Sequence, residues 1–167
     1  MQMSDTREIS ADKAIVWAAL LNPEVLKECV PGASEVTGTP EDGFEAVVTQ
    51  KVGPVKATFR GTVTVSNVVE GAALTLTGEG KGGAAGFAKG AANVRLDEAD
   101  GITRLSYDVQ AKVGGKLAQL GSRIVDGFAK KMADQFFTRL EEVIEGPKEA
   151  DEAPEAEKKG WLKKLIS

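Results

Sequence analysis

Three glycines, Gly78, Gly80 and Gly83, stand at the spacing by which a glycine-rich loop wraps a dinucleotide pyrophosphate, within a longer glycine-alanine string that runs to Ala92. That spacing carries chemistry only when a strand enters the glycines and a helix leaves them, because the helix N-terminus supplies the phosphate site. Leu74 to Thr77 reads as the entering strand. The stretch 84–92 fails as the leaving helix, since each glycine in a helix interior costs about 1 kcal/mol relative to alanine. Lys81-Gly82 is followed by neither Ser nor Thr, so a P-loop fails as well. As a strand, the same stretch places Ala84, Gly86, Ala88, Gly90 and Ala92 on one face with Val94 and Leu96, a face that runs from bare to bulky. Glycines there can serve the bending of a curved sheet. The preferred reading is that the missing side chains leave a pocket beneath a covering helix, suited to a greasy ligand with a small polar head. Closure of that gap by neighbouring Phe and Met side chains is the alternative.

Other reactive groups are scarce. The chain has no histidine and a single cysteine, Cys29. This removes the commonest general base and metal ligand and every Ser-His or Cys-His pair, and it forbids an internal disulfide. A net charge of -4 argues against nucleic acid as a partner. No apolar run approaches the roughly 20 residues of a spanning helix, and Met1 to Asp5 lacks the basic and apolar regions of a signal peptide. The expected address is the cytoplasm.

The elements that must position the small residues follow from period. Residues 6–9, with Met3 upstream, suggest a first strand, and Ser10 is the expected N-cap of a helix over Ala11 to Leu21. Asn22-Pro23 interrupts it, and a second short helix runs from Pro23 to Cys29. Period two then takes over: a weaker Ala33 to Thr39, then Phe44 to Val52, Val55 to Ser66, the run around Leu74 and Leu76, the glycine strand ending at Leu96, and Leu105 to Val113. Gly53-Pro54 and Asp100-Gly101 mark turns. One long helix is expected from about Leu117 to Glu145, with Leu120, Ile124, Phe128, Met132, Phe136, Leu140 and Ile144 four residues apart and Gly146-Pro147 as its stop. The fold class is α+β: a curved antiparallel sheet of about seven strands around a long C-terminal helix.

This order of elements resembles the helix-grip fold of START-like (SRPBCC) proteins. Cys29-Val30-Pro31-Gly32-Ala33, Lys51 to Ala57 leading into Phe59-Arg60-Gly61, the glycine string, and Gly114 to Gly121 with Phe136-Phe137 resemble the CoxG family of carbon monoxide dehydrogenase subunits over about residues 1–145. The resemblance implies an accessory protein of a molybdenum hydroxylase, usually carbon monoxide dehydrogenase, that associates with the inner face of the cell membrane. It further implies a cavity holding a respiratory quinone, menaquinone or ubiquinone, for delivery to that enzyme. It brings no catalytic residue and no metal site.

Within residues 1–147, the expected pocket lining is Phe59, Leu74, Leu76, Gly86, Gly90, Tyr107, Val109, Gly121, Phe128 and Met132, with Tyr107 as polar contact. Residues 148–157 carry five acids and one lysine and read as a solvated linker. Residues 158–167 invert this: as a helix, Trp161, Leu162, Leu165 and Ile166 fall in an arc of about 140°, with Lys163 and Lys164 opposite and Lys158 and Lys159 before them. This is the pattern of a helix that lies on a membrane surface, or of a docking peptide for a protein groove. Three functions compete: a lipid carrier, a membrane-recruitment adaptor with a filled core, and a cyclase- or hydrolase-like enzyme of the same fold using Glu79, Asp108 or Lys112. The expected register turns those three side chains outward.

Overall fold

The computed structural model describes residues 1–146. Its strands are β1 (Gln2–Ile9), β2 (Ala33–Thr39), β3 (Gly43–Val52), β4 (Val55–Val69), β5 (Ala73–Lys81), β6 (Phe87–Ala99) and β7 (Ile102–Gly114). Helices α1 (Lys13–Leu20) and α2 (Pro23–Cys29) follow β1, and α3 (Lys116–Gln119) and α4 (Ser122–Glu145) follow β7. All seven strands form one antiparallel sheet in the order β1-β7-β6-β5-β4-β3-β2, so the first strand closes the meander beside the last. This is the helix-grip, START-like α+β architecture, with α4 held against the inner face.

Alternation along the strands sets that inner face. In β4, Val55, Ala57, Phe59, Gly61, Val63 and Val65 are half-buried while Lys56, Thr58, Arg60, Thr62 and Thr64 are exposed. Asp100 and Gly101 both adopt positive φ, the signature of the tight turn that matches the twist of a hairpin. Pro23 opens α2, and the Asn22 side chain accepts from the N–H groups of Glu24 and Val25.

Three local expectations are corrected. Ser10 does not cap α1. The helix begins at Lys13, whose N–H donates to Glu98 Oε1 of β6 at 2.7 Å, while the Ser10 N–H donates to Glu145 Oε1 at 2.6 Å. Both partners are remote in sequence, so local pattern could not reveal them. The helix expected over 117–145 is broken, because Gly121 turns to φ +89 and separates α3 from α4. The glycine strand starts late: Gly83–Ala85 makes a short 3-10 turn, and Ala84 lies in it.

Packing is uneven along α4. Its C-terminal half buries Phe137, Leu140, Val143 and Ile144 in a solid core with Ile9, Val16, Trp17, Leu20, Cys29 and Leu105. Its N-terminal half buries none of its residues fully, although Val125, Phe128, Ala129 and Met132 face inward. The space those residues face is not filled by the sheet.

Candidate ligand cavity

Between the N-terminal half of α4 and the sheet lies a cavity of about 770 Å³, within the range of sites that take a sizeable organic ligand. Well-packed interiors hold few voids larger than a water molecule, so a space of this size is a built feature. Its wall is overwhelmingly apolar: Phe59, Leu76, Val109 and Val113 from the sheet, and Val125, Phe128 and Met132 from α4. Ala88 and Ala92 of β6 contribute the small side chains that make the room. The solvent-exposed wall residues, Lys112, Ala118, Gly121, Ser122 and Asp126, gather where β7 passes through α3 into α4, so the mouth lies there.

Polar groups in the wall are few. The Gln50 amide donates to the Pro31 carbonyl, which ties β3 to the end of α2 and occupies the amide. Tyr107, 5% exposed, stacks on Phe137 with ring centroids 4.9 Å apart. Its hydroxyl makes no hydrogen bond to another described residue, and since no buried side-chain oxygen or nitrogen among the described residues lacks a partner, this hydroxyl is open to solvent. Burial pushes the Tyr107 phenol above its ordinary pKa of 10, Asp5 and Asp134 push the same way, and the Arg7 guanidinium opposes them. Arg7 lies 5.8 Å above the Phe137 ring and spans Asp134 at 3.6 Å and Glu141 at 3.3 Å, so it fastens β1 to α4 beside the tyrosine.

Seven of the ten residues expected in the lining border this cavity: Phe59, Leu76, Tyr107, Val109, Gly121, Phe128 and Met132. Three do not. Leu74 lies on the same face of β5 but one step deeper, where it pairs with Val94 and is sealed in the solid core. Gly86 has φ +108, and a side chain there would collide with the Gly114 carbonyl, so its role is to let the turn before β6 close on β7. Gly90 sits between Ala88 and Ala92, but a Cβ would come within 2.5 Å of the Gln110 carbonyl oxygen; it permits the close approach of β6 and β7. Bending and room are thus divided, the glycines supplying the first and the alanines the second.

Sequence reasoning also missed part of the wall. Val48, Gln50 and Val52 continue the inner face of β3, and Met3 of β1 and Met1 just before it reach in. Period two could have found the β3 residues; β1 pairs with β7 from Gln2 onward, beyond the 6–9 expected. Glu79, Asp108 and Lys112 are all exposed, as the expected register has them. Lys112 alone reaches the rim. The linker 148–157 and the basic segment 158–167, including Lys158, Lys159, Trp161, Leu162, Lys163, Lys164, Leu165 and Ile166, lie outside the described residues. No helix among the described residues is long and apolar enough to cross a membrane.

A curved sheet gripping a helix around an apolar cavity defines a helix-grip protein of the START-like class. Residues 6–145 match the model of the CoxG family of carbon monoxide dehydrogenase subunits, and the chain belongs to that family. Among solved structures it is similar to a conserved protein from Geobacillus kaustophilus, at 26% identity and a TM-score of 0.79, covering 85% of this chain and 93% of that one. A protein from Arthrobacter aurescens, at 15% identity and a TM-score of 0.64 over 88% and 87% of the two chains, shares the fold. So does protein Ms6760 from Mycobacterium smegmatis, at 16% identity and a TM-score of 0.62 over 86% and 90%. No curated protein matches the chain. Membership points to an accessory role beside carbon monoxide dehydrogenase.

Proposed function

We propose that the protein is a non-enzymatic carrier that takes a respiratory quinone, menaquinone or ubiquinone, into its cavity and delivers it to a molybdenum hydroxylase such as carbon monoxide dehydrogenase. The observation that carries this reading is the cavity: about 770 Å³ of apolar-walled space in a family associated with a redox enzyme. An apolar wall gains from every apolar surface it removes from water, at about 25 cal/mol per Å², and is indifferent to which isoprenoid or acyl chain supplies it. The tyrosine hydroxyl then fixes the polar head by donating to a carbonyl oxygen.

The working place of the carrier is the cytoplasmic face of the inner membrane. Four lysines in 158–167 are worth on the order of 1 kcal/mol each at an anionic leaflet, which gives reversible attachment. Reversibility suits a shuttle. Native mass spectrometry of gently purified full-length protein tests the cavity reading: a retained lipid or quinone mass is expected. A bare polypeptide mass in every preparation, with vesicle binding intact, leaves only an adaptor. Deleting 158–167 is expected to abolish co-sedimentation with liposomes, and unchanged co-sedimentation defeats the anchor.

A further inference from the structure

The described domain is electrically polarised along its length. Antiparallel strands put alternate connections at opposite ends, and these two sets differ in charge. At the mouth end lie Lys51 and Lys56 beside the β3–β4 turn, Lys81 and Lys89 flanking the link from β5 to β6, Lys116 on α3 and Arg123 on α4. All are exposed, and among the described residues none is in an ion pair. Glu79 and Asp126 are the nearby acids. At the far end the turns carry Glu41, Asp42, Glu70 and Asp100, and the cations are Lys13, Arg95 and Arg104, the last 3.3 Å from Glu8. The exposed Val68, Val69 and Ile102 beside these turns lie among acids rather than in a basic surround. The chain as a whole has a net charge of -4, so the basic end runs against the overall sign.

An apolar point sits inside that basic surround. Ile124, in the first turn of α4, is 44% exposed, and its Cγ2 would lie 3.7 Å from a Cβ on Gly53 at the β3–β4 turn. Gly53 and Pro54 are themselves exposed. The cavity opens beside this point, at Gly121 and Ser122.

We infer that the mouth end of the folded domain is itself a docking face for an anionic lipid bilayer, with Gly53-Pro54 and Ile124 entering the headgroup layer and the surrounding lysines on lipid phosphates. Charge complementarity commits the occupant, and the position of the mouth gives the reason for an apolar tip: a water-insoluble guest crosses from bilayer to cavity without meeting bulk water. An acidic protein surface would use the lysines but has no need of the exposed isoleucine beside the opening. The inference rests on the carrier reading for that purpose, not for its geometry.

Full-length protein is titrated with phosphatidylglycerol-containing vesicles and with pure phosphatidylcholine vesicles. Lys51→Glu with Lys56→Glu is expected to lower partition onto the anionic vesicles by at least about tenfold, since each lysine near the surface contributes a several-fold factor. The charge-matched pair Lys13→Glu with Arg95→Glu lies towards the far end, where the Lys13 N–H meets Glu98. It is expected to change partition by less than about twofold. Cys29 is buried, so a fluorophore sensitive to polarity can be placed at Pro54→Cys or at Glu70→Cys in the otherwise native chain. The first label is expected to shift to the blue on vesicle addition and the second to stay unchanged. Equal losses from the two charge pairs, no loss from either, or equal responses of the two labels overturns the inference. So does a mouth-end variant that keeps vesicle binding but loses binding to purified carbon monoxide dehydrogenase, which would assign the face to an acidic protein. Retained lipid mass in the same samples is read separately, so a failure of carriage is not mistaken for a failure of docking.

Discussion

Tyr107→Phe removes one hydroxyl and little else, and the structure fixes what that should do. A buried tyrosine bonded to the backbone loses about 1 kcal/mol when its hydroxyl goes. For a domain of this size that is a fall in Tm of about 3 °C. Here the hydroxyl bonds no other described residue and is reached by solvent, and the ring contact with Phe137 survives the substitution. The ligand-free variant should therefore melt within about 1 °C of the parent, because a hydroxyl that bonds water in both the folded and the unfolded state adds little to stability. Ligand affinity should respond instead. A hydrogen bond to a quinone carbonyl is worth about 0.5–1.5 kcal/mol net, which is about two- to thirteen-fold in Kd. Calorimetric melting gives the first quantity, and quenching of Trp17 fluorescence by added menaquinone or ubiquinone, in a chain whose second tryptophan is removed by Trp161→Phe, gives the second. A Tm lowered by about 3 °C without ligand, or an unchanged Kd, refutes the assignment of this hydroxyl to the guest.

Three further expectations follow from the same geometry. Ala129→Leu projects three extra carbons from α4 into empty space at about 0.8 kcal/mol per buried methylene, so Tm should hold or rise while lipid retained in native mass spectra falls; a clear loss of stability would show that the space is not there. Gly86→Ala should cost at least about 2 kcal/mol in urea unfolding, since it combines a left-handed backbone with a collision at the Gly114 carbonyl, and a neutral result would contradict the close approach there. Burial pushes the Cys29 thiol from 9.0 to about 12, with Glu28 adding to the effect, so its contribution to stability is complete below pH 9 and lost as pH rises towards 12. Cys29→Ala should flatten that part of the stability-against-pH curve, and thiol reagents at pH 8 should modify the parent only on unfolding.

Much of the architecture was legible because strand period is a local property. Val55 to Val65 alternates so regularly that the inner face of β4, Phe59 included, follows from the letters alone. The register also turned Glu79, Asp108 and Lys112 outward correctly. Depth along a strand is not local. Leu74 and Leu76 are equivalent in sequence, and only the packing of α1 and the end of α4 decides that one is sealed in the core while the other borders the cavity. The break at Gly121 was hidden for a related reason: a lone glycine reads as tolerable inside a helix, and its positive φ belongs to the turn that the sheet imposes. The four-residue stripe misled in a smaller way. At 100° per residue a step of four overshoots one turn by about 40°, so Ile124 drifts into solvent while Val125 takes the inward place.

The direction of α4 limits how the rest of the chain can act. The helix starts at the opening and, with 24 residues at 1.5 Å each, carries the chain about 36 Å away before Gly146 releases it. Twelve residues separate Glu145 from Lys158, and fully stretched they reach about 40 Å. If 158–167 anchors the protein as proposed, this stretch can bring it level with the opening only when drawn nearly taut. On that proposal, loss of a few residues from 146–157 would keep anchor and opening from resting on one surface, whereas added length would cost almost nothing.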